Sequence, residues 1–167
     1  HCQELGVHVN FAPVVDINSN PRNPIIGMRS FGEDPEEVTQ KAILYAYGSL
    51  SQNVLPVIKH FPGHGDTDTD SHHTLPVIPH SRQRLDSVEL YLIEAGIPAV
   101  MVSHLAVKSI DSTGIPASLS SPVIQELLRR DLNFSGLCFT DAMNMKGVTQ
   151  NSQPGEAEVK ALLAGND

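Results

Sequence analysis

One short segment, Lys59-His60-Phe61-Pro62-Gly63-His64-Gly65-Asp66-Thr67-Asp68-Thr69-Asp70-Ser71-His72, gathers a lysine, three histidines and three aspartates. Side chains of these types hold metals or move protons. His60 and His64 have the i, i+4 spacing of a zinc-binding helix. Pro62 and Gly63 lie between them and oppose a helix, and the glutamate of the HExxH pattern is missing. Asp66, Asp68 and Asp70 imitate the opening of a calcium loop. The glycine needed at its sixth position is Ser71, and the glutamate needed at its twelfth is Val77. No metal is therefore expected. Proton chemistry remains. Asp70 and His72 stand two residues apart, so in an extended segment they point to the same side. A carboxylate beside an imidazole fixes its tautomer and favours its protonated form, which makes a competent acid near neutral pH. Taken alone, an Asp-x-His pair is more simply a solvated polar loop.

Other candidates lie apart from this segment. Asp141 follows the apolar run Gly136–Thr140 and can serve as a helix cap or as a nucleophile. Arg29 closes Asn23-Pro24-Ile25-Ile26-Gly27-Met28-Arg29, where a surface arginine near a helix start is the plain alternative. Asp16 ends Phe11-Ala12-Pro13-Val14-Val15-Asp16, and His104 follows Val102-Ser103. Cys2 and Cys138 do not form a disulfide framework, and Cys138 lies in an apolar run that predicts a buried thiol.

The elements that must position these groups are legible as alternating strands and helices. Four runs, Val9–Ile17, Val54–His60, Ala99–Val107 and Gly136–Thr140, are nearly continuously apolar, the pattern of strands covered on both faces. Asp34-Pro35-Glu36-Glu37 predicts a helix start, with the helix running to Leu50. Further helices are predicted over Arg84–Ala95, closed by Gly96, from Ser121-Pro122 with Val123, Ile124, Leu127 and Leu128 on one face, and between Pro154 and Gly165. The terminal Gly-Asn-Asp is expected to lead into a fifth strand. This rhythm predicts βαβ units and a parallel sheet. Its step of about 40 residues suits a (β/α)8 barrel, which needs about 250 residues, so about half a barrel is expected. In such barrels the chemistry sits at the carboxyl ends of the strands, where Asp16, Lys59, His60, His104 and Asp141 fall. A doubly wound open sheet is the rival, but no GxGxxG follows a strand. The connection Phe61–His80 is long for a compact domain, and loops of that length are commonly functional.

The net charge of -8 argues against nucleic acid as a partner. No apolar run reaches the roughly 18 residues of a membrane span. Both ends read as cut within elements, which leaves the compartment open between bacterial cytoplasm and export. Oligomeric state is open too.

The segment Lys59–His72 resembles the signature of family 3 glycoside hydrolases, in the β-N-acetylglucosaminidase branch, to which Asp70-Ser71-His72 points. The likeness extends from Glu4-Leu5-Gly6-Val7 to the carboxyl end. It implies that residues 1–167 are roughly the middle half of a catalytic barrel, with further sugar-binding residues contributed from before residue 1. It implies His72 as general acid/base with Asp70 as its partner, and Asp141 as the nucleophile that forms a covalent glycosyl-enzyme. Arg29, Lys59 and His60 are implied to bind sugar. Asp16 and His104 are implied nearby, Asp16 more as architecture than as a contact. His8, His73 and His80 receive no role. The implied reaction is retaining hydrolysis of terminal β-linked N-acetylglucosamine, with a small saccharide or a muropeptide as substrate and no cofactor. The absence of Trp mildly favours small saccharides. Phosphorolysis by the same residues, and sugar binding without turnover, remain open.

Overall fold

The computed structural model of this protein describes residues 1–68, 75–88, 90, 93, 96–150 and 152–167. Its frame is parallel throughout. Strand β1 (Val9–Asn10) pairs with β2 (Leu55–Pro56), and Val14 bridges Lys59 just beyond. Strand β3 (Ile58–Phe61) pairs with β5 (Ala99–Val102), and β5 pairs with β7 (Leu137–Thr140). The four apolar runs are thus neighbours in chain order, with no reversal of the kind a doubly wound sheet contains. Beyond α4 the chain returns to the sheet, where the Asp167 N–H reaches the Cys138 carbonyl of β7 at 2.9 Å. This is an arc of a (β/α)8-type barrel.

Strand periodicity of two divides the side chains between two faces. Ile58, Val100, Val102 and Cys138 join the large core under the helices. Val57, Ala99 and Met101, with Leu55 and Phe139 beside them, form a small separate cluster on the concave face. Phe11 and Phe139 meet across that face, ring centroids 5.4 Å apart and edge to face.

Helix α1 (Pro35–Leu50) begins as its sequence dictates: the Asp34 side chain accepts the Glu37 N–H at 2.9 Å, and Pro35 stands where no N–H is needed. Val38, Ala42 and Ala46 recur every four residues and are its buried stripe. Helix α2 (Arg82–Val88) starts two residues earlier than predicted, because Ser81 caps it, its Oγ accepting the Arg84 N–H at 3.3 Å. Leu90 and Ile93 beyond it are buried, and Gly96 has the positive φ of +72° expected of a terminating glycine. Residues 122–131 form a helix wound in wider, π-type turns, closed by the Leu132 N–H on the Leu127 carbonyl at 2.9 Å. Val123, Ile124, Leu127 and Leu128 are all buried, as predicted. A short helix α3 (Lys146–Thr149) precedes α4 (Glu156–Ala164), which buries Ala157, Ala161 and Ala164 and ends at Gly165.

Two readings need correction. The run Ala99–Val107 is not one strand: it breaks at Ser103, and Ala106–Val107 forms β6, paired with β4 (Val77–Ile78) inside the long connection. The prolines at 76 and 79 lack N–H groups and mask so short a strand. The ladder from Val9 toward Ile17 is likewise interrupted, since Pro13 can donate nothing to it.

Candidate active site

Asp16 lies where the first run ends and is 3% exposed. Its Oδ2 meets His60 Nδ1 at 2.6 Å, while Oδ1 accepts the N–H groups of His64 at 2.7 Å and His60 at 3.3 Å. Burial alone would raise the pKa of this carboxyl. The charge and hydrogen bond of His60, assisted by His64, outweigh burial and hold it below its ordinary value. Asp16 is therefore a bracket for the end of β3 and the chain that follows it. His60 is equally enclosed, at 6% exposed.

His64 continues this bracket. Its ring is buried, with Nδ1 2.5 Å from Thr67 Oγ1. Burial lowers its pKa despite Asp16, which leaves it neutral near pH 7. Gly65 comes next and rests against the Ile17 backbone so closely that a Cβ there would stand 1.7 Å from the Ile17 carbonyl oxygen. Asp66 forms an ion pair with His80, which ties the start of the long connection to its end. Sequence reasoning gave His80 no role and missed Thr67, although Thr67 lies within the Lys59–His72 segment.

Lys59, Arg29 and Asp141 supply the accessible charge. Lys59 and Asp141 share strand parity with the concave-face residues Val57, Met101 and Phe139. Lys59 is half-buried. Burial first, and then the Arg29 guanidinium, lower its pKa, while Asp141 and Asp16 pull it upward; the net shift is downward. Lys59 thus feels the charges of Arg29, Asp141 and Asp16 together. Arg29 is exposed, at the end of the turn Gly27–Arg29, with Nη1 3.2 Å from the Ile25 carbonyl. Asp141 begins the loop after β7. Its N–H bonds the Val102 carbonyl at 2.9 Å, and its Oδ1 accepts the Ala142 N–H at 2.8 Å.

His104, implied to lie near the site, is enclosed beside the loop of Asp141. It is 0% exposed, with Nδ1 2.7 Å from Ser118 Oγ and Nε2 3.0 Å from the Ala142 carbonyl. Burial holds its pKa low, so a neutral ring donates from Nε2 to that carbonyl and accepts from the serine. This holds the backbone next to Asp141. Ser118, the other end of the link, was not foreseen. The expected pair Asp70 and His72 lies outside the described residues. Among the described residues no three His, Cys, Asp or Glu side chains cluster so as to hold a metal ion.

A carboxylate at a strand end, flanked by a lysine and an arginine, can attack an electrophilic carbon while the cations hold neighbouring oxygens.

Known proteins resemble this chain over nearly its whole length. Beta-hexosaminidase A of Pseudoalteromonas piscicida is 37% identical over 98% of this chain and 30% of its own length. Beta-hexosaminidase LpqI of Mycobacterium bovis is 38% identical over 99% of this chain and 44% of its own length. The solved structure of a glycoside hydrolase family 3 beta-N-acetylglucosaminidase from Paenibacillus sp. str. FPU-7 superposes with a TM-score of 0.96 at 42% identity, covering 99% of this chain and 32% of that one. The chain thus spans between about a third and under half of these relatives. Residues 1–167 match the family described as the Glycosyl hydrolase family 3 N terminal domain, and the chain belongs to glycosyl hydrolase family 3.

Proposed function

We propose that this chain supplies about half of the catalytic barrel of a retaining β-N-acetylglucosaminidase. What supports the reading is that Lys59 and Asp141 stand at the carboxyl ends of parallel strands, with Lys59 under the electrostatic influence of both Asp141 and Arg29. The beta-hexosaminidase names of relatives aligned over nearly the whole chain support it and favour hydrolysis over phosphorolysis.

Asp141 attacks the anomeric carbon while His72, held by Asp70, gives its proton to the departing glycosidic oxygen. The bond to the leaving group breaks and a glycosyl ester forms on Asp141. His72, now neutral, takes a proton from water, the water oxygen bonds to the anomeric carbon, and the ester cleaves to free Asp141. Both transition states carry positive charge on the sugar ring, which the Asp141 carboxylate stabilises. Arg29 and Lys59 hold sugar hydroxyls. Asp16 and His60 fix the backbone beneath them, and His104 fixes the loop of Asp141. The substrate is a small saccharide bearing a terminal β-linked N-acetylglucosamine, with muropeptides in that class.

The test uses the full-length protein with nitrophenyl β-N-acetylglucosaminide and β-glucoside, beside Asp141→Asn. Cleavage of the N-acetyl sugar alone, lost in the variant, is expected. Preference for the glucoside would overturn the branch assignment. Sugar 1-phosphate formed in a phosphate-dependent reaction would establish phosphorolysis instead. Cleavage of neither sugar would leave binding without turnover.

A further inference from the structure

Asn23 stands between the two loops that bring charge to the site. It is 7% exposed, and both ends of its amide are used. Oδ1 accepts the N–H groups of Ile25 at 2.9 Å and Ile26 at 2.8 Å. Those bonds close the turn that leads to Arg29, whose own N–H returns to the Ile26 carbonyl at 2.7 Å. Ile26 is buried to 1% and anchors that turn. From the other end, Nδ2 donates to the His64 carbonyl at 2.7 Å, 41 residues further along the chain.

His64 is the last residue before Gly65 and the segment that runs on to His72. Its N–H is held by Asp16 at 2.7 Å and its carbonyl by Asn23 at 2.7 Å. The two peptide groups flanking His64 are therefore gripped from opposite sides. The grip on the carbonyl comes from Asn23 on the Arg29 loop. Asn20 adds only long bonds from Nδ2 to the Asp66 and Thr67 carbonyls, each 3.5 Å.

We propose that Asn23 is a positioning residue that sets the acid/base-bearing segment against the Arg29 loop through its bond to the His64 carbonyl. The inference rests on the reading of His72 as the acid/base. A buried amide suits this task because it presents a donor and an acceptor in one rigid plane. Neither hydroxyl nor carboxylate offers both at that separation. The geometry needed is strict, since misplacing a catalytic group by about 1 Å costs on the order of 10²-fold in rate.

Asn23→Asp separates the two halves of the role. Oδ1 keeps both N–H donors, which also favour the ionised carboxylate. The second oxygen then faces the His64 carbonyl, acceptor against acceptor. The measurement is kcat/KM for two N-acetylglucosaminides, one with a dinitrophenyl leaving group and one with an alkyl leaving group. The first needs no proton from the enzyme, and the second needs one. The expected result is a fall of about 10-fold or more for the alkyl glycoside and less than about 3-fold for the dinitrophenyl glycoside. Equal falls for both, or no change in either, would overturn the proposal, because a pin that served only the Arg29 loop would act on sugar binding alike. Asn23→Ser gives a second reading should the aspartate variant not accumulate folded. Its hydroxyl can still close the turn but is too short to reach His64, and the same divergence is expected. If the unsubstituted enzyme cleaves neither glycoside, the reading of the site has failed rather than the role of Asn23.

Discussion

The two faces of the same strands lead different lives. On the convex face Ile58, Val100, Val102 and Cys138 are nearly fully buried beneath helices, in one core that also takes in Leu127 and Leu128. On the concave face the apolar cluster is small, and it gives way to Lys59 and Asp141 as the strands reach their carboxyl ends. One face is selected for filling space and the other for placing charge. The alternation of a strand lets a single sequence do both, two residues apart.

Paired substitutions give the sharpest break. Asp141→Asn removes the attacking charge without a change in size, and turnover should fall by on the order of 10³-fold or more. Its melting temperature should barely move, since the residue is half-exposed. Leu128→Ala should do the reverse, losing about 3 kcal/mol of stability in denaturant titrations while kcat/KM of the folded fraction stays near that of the parent. If Leu128→Ala changed kcat/KM as strongly as Asp141→Asn, the division of labour between the faces would be wrong.

Gly65→Ala probes the joint between frame and loop. A methyl group there meets the Ile17 carbonyl oxygen at 1.7 Å, so the backbone has to move. The movement falls between the Asp16 bracket and the segment carrying His72. A loss of about 10²-fold in kcat with little change in KM is expected from steady-state assays. Parent-like kcat would mean that this close approach has no bearing on the chemistry.

Acid should dismantle the site before it unfolds the core. His64 and His104 are both held below the ordinary histidine value of 6.5 by burial. The unfolded chain then takes up these protons first, so the stability they confer is complete above about pH 6.5 and is lost as pH falls through their folded values. Asp16, held below 3.8, adds a second loss at more acid pH by the same sign. Each proton contributes at most about 1.4 kcal/mol per pH unit. Melting temperature should drop from pH 7 to pH 5, and His104→Gln should flatten that drop. A melting temperature that rises over this interval would contradict the assignment of both rings as neutral.

The frame was legible in the sequence because its signals are local and physical. Asp34-Pro35 caps a helix wherever it stands, and Val123, Ile124, Leu127 and Leu128 mark a face without reference to anything distant. The strand ends followed from the apolar runs, and with them came Asp16, Lys59, His104 and Asp141. What stayed hidden was partnership across long separations. Asn23 with His64, His104 with Ser118 and Asp66 with His80 depend on three-dimensional closure, which no spacing announces. Asn23-Pro24 did carry a trace, since Asn before a turn commonly accepts the N–H groups that follow it. The small β4–β6 pair escaped because prolines bound β4 on both sides.

Cys138 offers the finest test of the convex face, because it reports on packing without disturbing it. Its thiol is fully buried, with Sγ 3.5 Å from Asn166 Oδ1. Burial is the largest cause that pushes its pKa up to about 12; Asp167 adds to the rise and Arg129 opposes it. A thiol with that pKa is thiolate to only about one part in 10⁵ at pH 7, and it is shut away from reagent besides. Of these two cysteines, native protein should therefore react with an aromatic disulfide at Cys2, which is only partly covered, and not at Cys138. Cys138 should react only when the sheet opens, so its labelling rate should rise in Leu128→Ala and stay unchanged in Asp141→Asn. Equal rates in those two variants would mean that the core beneath the helices and the charged strand ends do not open independently.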